Sequence, residues 1–398
     1  MKILVTNHWA LYQNLGDLAI IQSMLSQLQS KFPNAEIVFE SSHPEITKKY
    51  YPDLKLTKKI FDLPNFKKAK SLYSFEFIYK NFFGLVKLSF LFLNFYIFKY
   101  TGIDILNTEI LKHYKTADLI IFAGGDYFCE FYAHDLRFKE IELIKKLNKP
   151  CVIYSQSIGP FSGKGIANAK KSLSKVDAIL ARDNKSVRLL KEYGVDESKI
   201  YKVTDCVTLM EELKTDKANK AVCKYQIDDK TIGFVFRDIR FTKIDELEYQ
   251  GYIKGMLDFM KYTEEKGYKP LIVAPQNSDL ETSEKVKKDF NLKYEIFKTR
   301  DLHPREVKYV FSKIKALVSP RMHPIIIAST AGTPVIGVGL EFKMQEYMSI
   351  MNLQDYFIPM LPFDLDKAKN TLNKLLSNYT DLKEVLQKVF PKFIKLAL

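Results

Sequence analysis

The chain has 398 residues, 46% of them apolar and 13% aromatic, with 16 glycines and 15 prolines. That composition excludes a disordered chain, a collagen-like repeat and a disulfide-stapled miniprotein, and it supplies apolar material for more than one core. Basic residues outnumber acidic ones by 61 to 47, a net charge of +14, which suits an anionic partner without saying whether it is nucleic acid, lipid or a phosphorylated small molecule.

Short β-rich runs alternate with amphipathic stretches from the start of the chain. Strands are predicted at 2–6, 36–40, 118–123, 151–155 and 178–181, and a second set at 231–236, 270–274, 315–318 and 334–338. Helical periodicity marks 17–31, 134–147, 183–193, 247–266, 280–289, 303–313 and 322–331. Continuous apolar runs such as Leu119-Ile120-Ile121-Phe122 suit parallel strands covered on both faces. The alternation predicts a doubly wound α/β architecture. A polar stretch between Met210 and Lys230 divides the chain into a Rossmann-like domain over 1–212 and a second over 228–398, with a cleft expected between them. Beyond about 365 the pattern is helical, with Leu372, Leu375, Leu376, Tyr379, Leu382, Val385 and Leu386 on one side.

Residues 82–100 break the alternation, within an apolar insertion over about 60–105. Only eleven residues separate Lys87 from Lys99, too few to cross a bilayer. The segment suits either a groove-packing helix or a peripheral contact with a membrane, the latter helped by Lys58, Lys59, Lys67, Lys68 and Lys70. The amino terminus lacks a signal-peptide run. Cys129, Cys151, Cys206 and Cys223 lie far apart without zinc spacing, as expected of reduced thiols. The expected location is cytoplasmic, at or near the inner face of the membrane.

Only eight of the basic residues are arginines. The lysines read as solvated surface, whereas an arginine at a strand end suggests a planar fork for phosphate or carboxylate. None of the eight clusters with aromatics, so no nucleic-acid partner is expected. Ligands of open parallel sheets bind beyond the carboxyl ends of strands, and the informative residues stand there. After the first strand, Asn14-Leu15-Gly16-Asp17 opens a helix, where Gly16 permits close approach and Asn14 or Asp17 can cap. The strand at 118–123 leads into Gly124-Gly125-Asp126, where Asp126 either accepts from a ligand hydroxyl or caps the next helix. Gln156-Ser157-Ile158-Gly159-Pro160 reads as a donor-rich turn. Arg182 ends the next strand, and Asp183-x-x-Ser186 suits a helix start. Arg182 then either faces the cleft or pairs with Asp183.

In the second half, Arg237-Asp238 follows one strand and Arg321-Met322-His323 another. Arg321 can grip an anion two residues from His323, which can move a proton near neutral pH. Lys343 follows the last predicted strand. The six histidines show no metal-ligand spacing, so no metal or other cofactor is expected. The Asp364-x-Asp366 pair reads as a helix start.

Together these residues resemble the polysaccharide pyruvyl transferase family. The matching elements are Asn14-x-Gly16-Asp17, Gly124-Gly125-Asp126, Gln156-Ser157-Ile158-Gly159-Pro160, Arg182-Asp183-x-x-Ser186, Arg321-x-His323 and Gly332-x-Pro334, with Lys343 behind. Met322 fills the middle of the Arg-x-His element, and Leu340-Glu341-Phe342 stands where the family usually has a tyrosine. The resemblance implies a fold like the two-domain B-type glycosyltransferases, and transfer of pyruvate from phosphoenolpyruvate to a sugar of a surface polysaccharide or its lipid-linked precursor. Carried over by position, Asp126, Arg182, Arg321 and His323 form the active-site set. Arg182, Arg321 and Arg237 would bind the substrate's anionic groups, His323 would be the general acid or base, and Asp126 would serve the acceptor hydroxyl. Asn14, Gly16, Asp17, Gly124, Gly125, Ser157 and Lys343 would line the substrate. The competing reading is a glycosyltransferase using a nucleotide sugar. Such enzymes typically hold the ribose with a glutamate after a late strand, whereas Val307–Leu340 contains no Asp or Glu. A non-catalytic membrane-attached scaffold is the other alternative.

Overall fold

The computed structural model describes residues 1–8, 14–60, 109–132, 134–242, 244–340 and 342–386, with isolated positions between 86 and 97. The expectations for the insertion over 60–105 and for 82–100 therefore fall, but for a few positions, outside the described residues. The chain divides into two compact units, one of Met1–Ala10 and Gln27–Lys202, the other of Leu11–Ser26 and Val203–Leu398.

The first unit is built on strands β1 (Lys2–His8), β2 (Glu36–Ser41), β3 (Lys55–Thr57), β4 (Leu119–Phe122), β5 (Gly125–Phe128), β6 (Cys151–Ile158), β7 (Ala178–Ala181) and β8 (Ile200–Lys202). Seven of them form a sheet in the order β3-β2-β1-β4-β6-β7-β8, and β5 adds to β6. Every pairing is parallel, with Leu4 set beside Val38 on one side and Ile120 on the other. Both faces are covered: Ile3, Leu4, Ile120 and Phe122 have no exposed surface. Each such side chain contributes roughly 1.5–3 kcal/mol by leaving water. This is why the strands read as unbroken apolar runs.

The second unit repeats the plan with β9 (Thr231–Phe234), β10 (Lys269–Ala274), β11 (Ile296–Lys298), β12 (Ala316–Ser319), β13 (Val335–Gly339) and β14 (Phe357–Pro359). Their order is β11-β10-β9-β12-β13-β14, again all parallel. Each sheet therefore reverses its winding once, between β1 and β4 and between β9 and β12. These switch points are where such sheets bind ligands, at the strands' carboxyl ends. The doubly wound α/β class expected from the alternation is the one observed.

The polar stretch read as a boundary carries a helix, Asp216–Lys224, inside the second unit. Thr215 Oγ1 caps it by accepting from the Ala218 amide at 3.1 Å, and its lysines lie on the exposed side, so composition alone resembles a linker. The terminal helix Leu365–Ser377 starts where Asp364 accepts from the Lys367 amide at 2.9 Å. Leu372, Leu375, Leu382 and Leu386 are buried along its apolar side and its continuation, as the periodicity required. Among the described residues no helix is long and apolar enough to cross a membrane. All four cysteines are free thiols.

Candidate active site

The second unit's switch point is built around the chain leaving β12. Ser319 is fully buried, and its hydroxyl donates to the Arg321 carbonyl at 3.0 Å while accepting from the Arg321 amide at 2.9 Å. That double bond turns the chain and sets Arg321 as the residue preceding the helix Met322–Thr330. The helix is anchored by Ile325, Ile326 and Ile327, all fully buried. The Arg321 side chain makes no capping bond to its N-terminus, and helix starts attract anions through their amides and dipole.

The Arg321 guanidinium is held from one side. Its Nε donates to both oxygens of Asp279, at 3.2 and 3.1 Å, and Nη2 donates to Oδ1 at 2.5 Å. Asp279 has no exposed side-chain surface, whereas that of Arg321 is 22% exposed. Burial pushes the Asp279 carboxyl above the ordinary carboxylate range, opposed chiefly by Arg321 and further by the charge of Arg237. Among the described residues Arg321 Nη1 makes no hydrogen bond. It remains available to a ligand.

His323 lies between two elements. Its Nε2 is 3.9 Å from Oδ2 of Asp205, a buried carboxylate whose other oxygen accepts from the Val207 amide at 3.0 Å. The ring also rests against Gly16. A β-carbon there would stand 2.6 Å from His323 Cγ and 2.9 Å from Cε1, so glycine is required by the close approach. The helix carrying Gly16, Leu15–Lys31, is seated by the Leu15 amide donating to the Pro275 carbonyl at 2.9 Å, with Asn14 Oδ1 accepting from the Gly16 amide at 2.9 Å. Asn14, Gly16, Arg321 and His323 are thus brought together in one unit despite some 300 residues of separation in sequence. Asp17 lies in the same helix turn, Arg237 follows β9, and Lys343 is half-buried in the first turn of the helix Phe342–Ile350. Asp238 pairs with Arg240 at 2.6 Å.

The remaining predicted residues belong to the first unit. Arg182 is buried just past β7, and its Nε donates to Ser157 Oγ at 2.9 Å. Ser157 in turn donates to Asp183 Oδ2 at 2.5 Å, and Asp183 Oδ1 accepts from the Ser186 amide at 2.7 Å, starting the helix Asn184–Glu192. The helix start is as the spacing predicts. The contact between Arg182 and Asp183 is relayed by Ser157. Two expectations are corrected here. Gln156 and Ser157 lie within β6, which runs on to Ile158, so they are buried strand residues and not a turn. Asp126 lies within β5, well before the next helix, which begins at His134, so it is a strand residue and not the residue that starts a helix. Gly124, with Ala123, makes the connection from β4 to β5, and Gly125 opens β5 with φ of 145°.

A model of the family described as polysaccharide pyruvyl transferase matches residues 14–341. The chain belongs to the polysaccharide pyruvyl transferase family. The matched span includes every predicted site residue except Lys343. No curated protein matches the chain. Among solved structures, the fold is similar to a glycosyltransferase from Rickettsia africae, with a TM-score of 0.57 at 14% identity over 99% of this chain and 93% of that one. The HepE protein of Anabaena in complex with UDP and glucose gives a TM-score of 0.58 at 10% identity, covering 100% of this chain and 97% of that one. A UDP-GlcNAc 2-epimerase from Neisseria meningitidis bound to UDP-GlcNAc gives 0.56 at 11%, covering 97% and 94%. At such identities the likeness is one of fold, that of the B-type glycosyltransferases, with two Rossmann-like units.

Sequence reasoning for this member of the pyruvyl transferase family missed Asp279 and Asp205. Asp279 stands one residue before the predicted start of its helix, which in fact spans Asn277–Asp289. An acidic residue there reads as a favourable first-turn charge. Asp205 reads as an ordinary capping residue. Only the fold brings them to Arg321 and His323. Among the described residues no group of three or more His, Cys, Asp or Glu side chains is arranged to hold a metal ion.

Proposed function

We propose that the chain transfers pyruvate from phosphoenolpyruvate to two hydroxyls of a sugar, in a surface polysaccharide or its lipid-linked precursor, forming a pyruvate ketal. The observation that carries this reading is Arg321, forked onto buried Asp279 with Nη1 unused, two residues from His323 at a helix start. Membership of the family supports the same chemistry.

In the net reaction, C3 of phosphoenolpyruvate gains one proton, and two C–O bonds form at C2. The C2–O bond to phosphate breaks, and of the two hydroxyl protons one balances C3 and the other leaves with phosphate. His323 is the group to exchange the proton at C3 or at a hydroxyl, a role typically worth roughly 10²–10⁴-fold. Arg321 and Arg237 bind the anionic groups and stabilise departing phosphate. Arg182 serves as a further cation, and Asp126 serves the acceptor hydroxyl. The acceptor is met at the cytoplasmic face of the membrane; vesicle flotation with and without residues 82–100 tests this.

Binding separates this reading from nucleotide-sugar transfer. Ligand binding raises apparent stability, so phosphoenolpyruvate should raise the melting temperature and UDP-sugars should not. A shift with UDP-sugars alone would favour the glycosyltransferase reading that the fold neighbours suggest. The lack of any Asp or Glu over Val307–Leu340 stands against it.

A further inference from the structure

Asp279 is a costly residue to place where it is. Its carboxyl group is completely buried, and replacing a buried ion pair by apolar groups of similar volume is often neutral or stabilising. Stability of the fold is therefore a weak reason for its presence. Its geometry gives a better one. Accepting from both Nε and Nη2 fixes the plane of the Arg321 guanidinium and leaves only the Nη1 edge to turn outward. The bond also ties the first turn of Asn277–Asp289, after β10, to the end of β12. Between these two strands runs β9, which leads to Arg237. The charge of Arg237 acts on the same carboxylate.

We propose that Asp279 is a positioning residue that presets Arg321 as a rigid clamp for a compact oxyanion of the phosphate or carboxylate class. The proposal rests on reading Arg321 as an anion-binding group. Asp279 itself touches no substrate. It removes the reorganisation that a long, mobile cation would otherwise undergo on binding.

The test uses the full chain, with inorganic phosphate and phosphoenolpyruvate as probes in calorimetric titrations, and KM and kcat where turnover is measured. Asp279→Asn keeps the shape but weakens the fork, and should loosen both anions tenfold or more, raising KM more than it lowers kcat. Arg321→Lys keeps the charge and the Asp279 partner while removing the fork, and should weaken binding similarly even if Asp279→Asn fails to fold. Arg240→Lys, at a guanidinium already occupied by Asp238 and Glu246, should change neither affinity. Wild-type binding left unchanged in both Asp279→Asn and Arg321→Lys would overturn the clamp and leave the anion site standing. Failure of the wild type to bind either anion would overturn the anion reading itself, and the clamp with it.

Discussion

Replacing Gly16 by alanine should damage both stability and activity, although alanine is the better helix former. In a helix interior the exchange ordinarily gains roughly 0.5–1 kcal/mol. At Gly16 the new β-carbon would stand 2.6 Å from His323 Cγ and 2.9 Å from Cε1, about 1 Å inside the usual ~3.5–4.0 Å carbon contact. Two responses are open. The imidazole swings away from Asp205, or the helix start shifts and loosens the bond from the Leu15 amide to the Pro275 carbonyl. Overpacking of this kind costs about 1–3 kcal/mol, which cancels or reverses the propensity gain. A catalytic group misplaced by ~1 Å can lose on the order of 10²-fold in rate. Gly251→Ala is the matched control, since a β-carbon there meets nothing within 4 Å in the helix Glu246–Glu265. Urea unfolding should show Gly251→Ala gaining stability and Gly16→Ala not, and only Gly16→Ala should lose phosphate release. A Gly16→Ala protein as stabilised as the control, with full turnover, would refute the seating of His323 against this helix.

Two further outcomes are expected. Asp183→Ala removes both the cap on the Ser186 amide and the acceptor of Ser157, and should lower the unfolding free energy by about 2 kcal/mol; a change under a few tenths would contradict the relay to Arg182. His303 accepts from the Arg305 amide at 3.3 Å, and burial holds its imidazole down to about 4 from an ordinary 6.5. The unfolded chain therefore takes up the proton first as pH falls, and stability drops between about 6.5 and 4 by roughly 2 kcal/mol, allowing for the ring's partial exposure. His303→Ser keeps a capping oxygen without the titration, so its urea midpoint should fall less between pH 7.5 and 4.5. An identical fall in both proteins would show that His303 is not the group concerned.

Much of the fold is legible in the sequence because buried parallel strands are long apolar runs. The nine predicted strands all occur, at nearly their predicted bounds. Of those not predicted, β3, β8, β11 and β14 have three residues each, too few for a periodic signal, and β5 begins with Gly125 and Asp126, which interrupt any apolar run. The scarcity of arginine made Arg321 and Arg182 conspicuous, and local spacing sufficed for the Asp183 cap. What spacing could not reveal is which carboxylates come back to these cations. Asp205 and Asp279 lie 118 and 42 residues before His323 and Arg321 respectively, and each has a plausible local role as a cap or first-turn charge. Nor does adjacency to β1 disclose that the start of the helix Leu15–Lys31 belongs with the second unit. There Gly16 meets His323 and the Leu15 amide reaches the Pro275 carbonyl, contacts between residues far apart in the chain.

The central claim is chemical, and product analysis reaches it most directly. The purified chain is incubated with phosphoenolpyruvate and a galactose- or N-acetylhexosamine-containing glycan, and free phosphate and glycan mass are followed together. The account predicts one phosphate per pyruvate ketal formed, with both lost in Arg321→Ala and in His323→Ala. Undiminished ketal formation in the two variants would remove these residues from the chemistry, and a glycan that gains sugar from a UDP-sugar instead would contradict the proposed reaction.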